Sequence, residues 1–173
     1  MENCNMKLFT RVALLVTIIG LVSLGAFATN QATANMNVSA SVTSSCTVSA
    51  TGGLSFGTYN PASATDTTGT ATISLQCTNG DNPTILLGQG NGGVNGSTDA
   101  APLRALLNGA NPLNYQLYTA AGTGQPVWDN ATGVTKAADG TAQSITVYGT
   151  IPKGQNGVVA GTYSDIIAIT VNY

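Results

Sequence analysis

The chain has 173 residues, no histidine, 7% charged residues and a formal net charge of −2. That is a single-domain length, and so few cations exclude the basic footprint of a nucleic-acid binder and the polybasic patch that holds a protein on anionic lipid.

In chain order, the first element is an export signal. Lys7 and Arg11 make a short positive region, and Val12 to Phe27 is apolar apart from Thr17, Gly20, Ser23 and Gly25. Ala26-Phe27-Ala28 then supplies a small-x-small cleavage site. This predicts a signal peptide over residues 1–28. Ala32-Thr33-Ala34 is a second match that would leave a shorter tail. The competing reading is an uncleaved anchor, but the apolar run is shorter than the ~20 residues a spanning helix needs. Without the signal the chain keeps Arg104, Lys136 and Lys153 against six aspartates, a net charge of −3.

Directly behind the signal, ANMNVSASVTSSCTV (Ala34 to Val48) alternates apolar and polar residues. Ala34, Met36, Val38, Ala40 and Val42 fall on one face and Asn35, Asn37, Ser39 and Ser41 on the other, the period of a β-strand. A strand at the new N-terminus suggests one meant for another molecule. Cys4 leaves with the signal, so an exported chain keeps Cys46 and Cys77, an even pair that reads as a disulfide. Two cysteines without histidine are a poor zinc site.

Short β-rich runs follow at Leu54 to Phe56, Thr70 to Cys77, Thr84 to Leu87, Leu103 to Leu107, Leu113 to Thr119, Gln143 to Ile151 and Tyr163 to Tyr173. Asn79 to Pro83 and Asn108 to Pro112 are turn-rich joints, and Gly88 to Ala101 has the composition of a flexible loop. The spacing predicts an all-β antiparallel sandwich. In the last run, Ile167, Ile169, Val171 and Tyr173 share one face, and Ile166, Ala168, Thr170 and Asn172 the other. Both faces are partly apolar, which suits a strand inside a sandwich or beside a binding groove.

Two motif matches point to enzymes and fail on context. Gly53-Leu54-Ser55-Phe56-Gly57 fits the GxSxG nucleophile elbow, yet no histidine can serve as its base, and Thr58-Tyr59-Asn60-Pro61 reads as a turn where a helix is required. Gly88 to Gly93 contains GxGxxG, but Val94-Asn95-Gly96-Ser97 cannot open a helix and no acid lies about 20 positions on. The dispersed aspartates form no calcium ladder. Trp128 could stack on a sugar, but a lone Trp is more often a packing residue. No catalytic, cofactor-binding or metal-binding residues are expected.

The strings VTSSCTVSATGGLSFGTYNP, ATISLQCTNG, PLNYQLYTAAG, PVWDN, ITVYGTIPKGQ and AGTYSDIIAITVNY resemble the spore coat protein U domain family, which includes archaic chaperone-usher pilins. The resemblance runs from about Val38 to Tyr173. It implies an incomplete immunoglobulin-like sandwich, bridged by Cys46 and Cys77, that lacks its final strand. A periplasmic chaperone would lend a strand to the subunit until an outer-membrane usher exchanges it for the N-terminal arm of the next subunit. That is β-augmentation, in which main-chain hydrogen bonds hold the strand and alternate side chains fill pockets. Head-to-tail exchange does not close on itself and produces a fibre.

Carried onto this chain, the resemblance places the donor arm in 29–38, with Ala34, Met36 and Val38 as plugs. The sandwich domain would span 39–173, its own first strand lying within about Ser39 to Val48. Ile167, Ile169, Val171 and Tyr173 would border the acceptor groove and pair with the chaperone. Partners would be like subunits, chaperone and usher, and the protein would pass through the periplasm to the cell surface. Two alternatives use the same fold: a spore-coat or surface-layer protein, and a self-complemented sandwich that binds carbohydrate.

Overall fold

The computed structural model describes residues 30–122 and 124–173; the expected signal peptide and Thr29 lie outside them. Two units are described separately, one ending at Ala40 and the other comprising Ser41–Tyr173. In the first, Asn30 to Ala40 is exposed and forms no regular element.

Within Ser41–Tyr173, every strand or helix among the described residues is a strand: β1 Cys46–Thr51, β2 Thr67–Cys77, β3 Thr84–Leu87, β4 Arg104–Asn108, β5 Asn111–Tyr118, β6 Val134–Thr135, β7 Gln143–Ile151 and β8 Ile169–Asn172. Period-two patterning explains the long ones. In β2, Ile73, Leu75 and Cys77 are buried while Thr70, Thr72 and Gln76 are exposed, so β-branched and polar residues cover the wet face of a pleated surface. In β5, Leu113, Tyr115 and Leu117 face inward.

The strands form a five-stranded sheet in the order β1-β2-β7-β5-β4 and a three-stranded sheet in the order β6-β3-β8. All pairings are antiparallel, with Ile73 opposite Ile145 and Ala71 opposite Val147 between β2 and β7. Ile73, Leu75, Tyr115, Leu117 and Val147 of the larger sheet share a core with Ile85 and Leu87 of β3. Trp128 belongs to that core at 1% exposure, and its indole Nε1 donates to the Ile85 carbonyl at 2.9 Å.

Three expected strands change. β1 begins at Cys46 and runs to Thr51; the alternating residues before it, including Ser39 to Ser45, are not strand. Periodicity shows that a segment suits a ladder, but a strand also needs a neighbour for its backbone groups. That neighbour, β2, ends at Cys77, which lies opposite Cys46 in register and is joined to it by the disulfide. Leu54 to Phe56 joins no ladder and lies over the larger sheet. Gly69 and Gly149, opposed in the β2–β7 register, make room for it: a Cβ on Gly69 would lie 2.7 Å from the Ser55 carbonyl oxygen, and one on Gly149 2.8 Å from Phe56 Cζ. The last run is divided. Ser164 bridges to Leu107 at the β4 edge, and the chain then crosses to the smaller sheet, where only Ile169–Asn172 forms β8.

Candidate functional site

An apolar cleft of about 200 Å³ opens between the two sheets. Ala71 and Ile73 of β2, Val147 of β7 and Tyr115 and Leu117 of β5 form its floor. Ala50 and Gly53, at and just beyond β1, stand on one side, and Ile167 and Ile169 on the other. Both flanking strands are terminal in their sheets among the described residues, β1 in the larger and β8 in the smaller. The inner face of the sandwich is therefore open along a line where an extended segment could lie against β8. A second cavity of about 670 Å³, between residues 54–61 and 158–163, shares Leu54, Phe56 and Leu106 with the first.

Asp165 anchors the segment leading into β8. Its Oδ1 accepts from the backbone N–H groups of Asn91 at 2.7 Å and Gly92 at 3.2 Å, and from its neighbour Ile166 at 2.7 Å. Its Oδ2 accepts from the Tyr115 hydroxyl at 2.7 Å. Burial, reinforced by this hydrogen bond and by the Asp165 charge, pushes the Tyr115 hydroxyl well above its ordinary range. One glycine of the apparent GxGxxG motif serves this packing: a Cβ at Gly90 would collide with the Asp165 carboxylate. The run is a loop wrapped on a carboxylate, with no helix after it.

Arg104, 1% exposed, crosslinks the far end. Its guanidinium donates to the carbonyls of Leu87, Gly88 and Trp128 and to Gln116 Oε1, at 2.6–2.9 Å. Burial lowers its pKa, with Tyr115, Asp165 and Asp129 acting in the opposite direction. A buried cation is tolerable here because its donors meet oxygens. No sequence pattern singles out Arg104: the carbonyls that hold it come from strand and loop positions that are remote in the chain.

The other candidate residues are placed as follows. Cys46 and Cys77 form the disulfide, with Cα atoms 4.1 Å apart. Ile167 and Ile169 line the cleft, and Val171 packs against the core. Tyr173 is 64% exposed and is not part of the lining. Met36 and Val38 are 84% and 83% exposed, and Ala34 is exposed as well. Ser55 lies in a loop without the strand-to-helix turn of a nucleophile elbow, its Oγ accepting from Gly57 N–H at 3.3 Å. Trp128 is too deeply buried to stack on a sugar.

A profile of the spore coat protein U domain matches residues 32–170. The chain belongs to this family. Among its relatives, Protein U of Myxococcus xanthus is 39% identical over 176 residues, which cover 95% of this chain and 97% of Protein U. The all-β fold of this spore coat U chain is also found in the CsuC–CsuE chaperone–tip adhesion subunit pre-assembly complex from archaic chaperone-usher Csu pili of Acinetobacter baumannii. That likeness has a TM-score of 0.55 at 17% identity and covers 76% of this chain, which spans 40% of the solved one. A chaperone-usher pilus structure concerned with rod uncoiling gives a TM-score of 0.52 at 16% identity, over 83% of this chain and 97% of that one. At such identities the likeness is one of fold, and it agrees with the immunoglobulin-like sandwich expected from the sequence.

Proposed function

We propose that this spore coat U chain is a non-catalytic structural subunit of a surface pilus, assembled by donor-strand exchange. The observation that carries the reading is the apolar cleft beside the terminal strand β8. An open core flanked by an unpaired edge is an aggregation hazard unless another strand covers it. A periplasmic chaperone would cover it in transit, and at an outer-membrane usher the arm of the next subunit would replace the chaperone. The arm 29–38, with Ala34, Met36 and Val38 as plugs, is the donor, and Ile167, Ile169, Val171 and Tyr173 mark the receiving strand. The pilus subunits among the fold relatives support this route.

The test is assembly by arm variants. Met36→Asp and Val38→Asp should each leave a secreted, chaperone-bound subunit that forms no fibres, because a carboxylate cannot enter an apolar pocket unpaired. Normal fibres from both would overturn the reading.

The match to the spore coat protein U domain over residues 32–170 favours a second reading, a coat protein that uses the same fold within an envelope layer. Filaments that vanish when the usher is deleted fit the pilus; protein retained in a coat layer without any usher fits the second reading.

A further inference from the structure

We infer that the outer face of the larger sheet binds an uncharged polysaccharide, with Tyr118 and Tyr148 as the rings on which its sugars rest. The inference concerns the side of that sheet away from the cleft and does not depend on donor-strand exchange.

The register brings like residues into rows across this face. Thr51, Thr72 and Thr146 lie side by side on β1, β2 and β7, and Ser49, Ser74 and Ser144 form the row beside them. On the other side of the threonine row stand Thr70, Tyr148 and Tyr118, on β2, β7 and β5. These positions alternate with the buried Ile73, Leu75 and Val147, and all of them are exposed or half-buried. Thr47 and Gln76, at the end of the face, spend their side chains on the Gln76 and Gly140 carbonyls. The hydroxyls of the three rows bond to no protein group among the described residues and face water.

Charge and size select the ligand. β1, β2, β5 and β7 contain no Asp, Glu, Lys or Arg, although an exposed edge strand such as β1 is ordinarily protected by charge. An acidic glycan or a phosphate is held by cations, and this face offers none, so an uncharged ligand fits it. Hydroxyls both donate and accept, which matches the hydroxyl-rich edges of a neutral sugar. The C–H face of a sugar ring packs on an aromatic ring that also presents a polar tip. Tyr118 and Tyr148 are directly opposite in register, so their side chains leave the sheet ~5 Å apart and make one platform. Neighbouring strands turn by ~20–25°; the rows are therefore no flat lattice for a crystal surface, and a flexible chain follows the twist. Three strands ~4.8 Å apart and three rows ~6.8 Å apart make a patch of roughly 300 Å², far below the ~800 Å² per partner of a stable protein interface. A polysaccharide needs only such a strip, and repetition along an assembly multiplies a weak hold at each subunit.

The test captures the secreted protein on chips coated with hydroxyethyl cellulose, dextran or a galactomannan, read by surface plasmon resonance, with carboxymethyl cellulose as the anionic control. At least one neutral polymer should hold the protein, and the anionic control should not. Replacing both rings, Tyr118→Thr with Tyr148→Thr, should weaken capture about ten-fold, the scale of two aromatic contacts. Tyr118→Phe with Tyr148→Phe keeps the stacking and should keep most of the capture. Thr suits a strand, and a block applied after folding removes any dependence on the variants' stability: a polyethylene glycol maleimide coupled to the Thr146→Cys protein should abolish capture. No capture by any neutral polymer, equal capture by carboxymethyl cellulose, or capture that survives the coupling would each overturn the inference. If the coupling leaves capture unchanged and only disperses bundles seen by light scattering, the face is a contact between copies and the inference fails. None of these outcomes bears on donor-strand exchange, which the arm variants decide.

Discussion

Four donors converge on the Asp165 carboxylate, three from the backbone and one from Tyr115. Hydrogen bonds to a charged acceptor are worth about 1.5–3 kcal/mol each, and a buried donor left unpaired adds its own desolvation penalty. Asp165→Ala should therefore cost about 3 kcal/mol or more in urea unfolding. Asp165→Asn keeps one oxygen for the three N–H groups and should cost markedly less. Tyr115 supplies a pH test. Because folding raises its pKa above the ordinary 10.0, its contribution is fully present below pH 10. Above that the unfolded chain releases a proton the folded one keeps, so stability falls as pH rises. Tyr115→Phe should flatten this alkaline limb relative to the parent protein; an unchanged slope would show that other groups produce it. Asp129 acts at the acid end. Burial raises its pKa, but N–H donors from Thr132, Gly133 and Ala131 outweigh this and leave the group below its ordinary 3.8. Its contribution is present above pH 3.8 and is lost as pH falls below it, so Asp129→Asn should soften the acid limb.

At the scale of elements, the disulfide ties the start of β1 to the end of β2. Removing a cross-link that closes a loop of this size costs roughly 3–4 kcal/mol in the chain-entropy model. A Cys46→Ala, Cys77→Ala double variant should lose about that much in urea unfolding, and reductant should have no further effect on it. Elements whose cause is local were legible in the sequence. Thr84–Leu87 and Gln143–Ile151 have the observed bounds because turn residues precede them and a Gly or Pro follows them. Elements whose cause is a partner were not. The alternation of Ala34 to Val48 is the same on both sides of Cys46, and only the position of Cys77 decides where pairing starts. Leu54 and Phe56 alternate like a strand, yet the gap left by Gly69 and Gly149 seats them on the sheet. The Tyr163 to Tyr173 run reads as continuous, and only the folded position of Asp165 reveals its division between two sheets. The same limit applied to the site: Ile167 and Ile169 could be named from periodicity, whereas Asp165 and Arg104 needed three-dimensional partners.

For the whole molecule, the donor reading makes the acceptor domain incomplete by one strand, and the missing strand can be supplied in cis. Appending a copy of residues 29–38 after Tyr173 through a short flexible linker, and deleting the original arm, places a donor beside β8 at an effective concentration in the millimolar range. Burying Met and Val contributes ~1.5–3 kcal/mol each, so the fused chain should gain at least about 3 kcal/mol over the arm-deleted chain. For a domain of this size that corresponds to a Tm rise on the order of 10 °C. The fusion should also be a monomer by light scattering without a chaperone, because its groove is filled and it has no arm left to donate. The control carries Asp at the copied positions of Met36 and Val38, which keeps length and linker but removes the plugs. If that control is as stable and as monomeric as the fusion, the cleft does not receive these side chains and the head-to-tail assembly built on it fails.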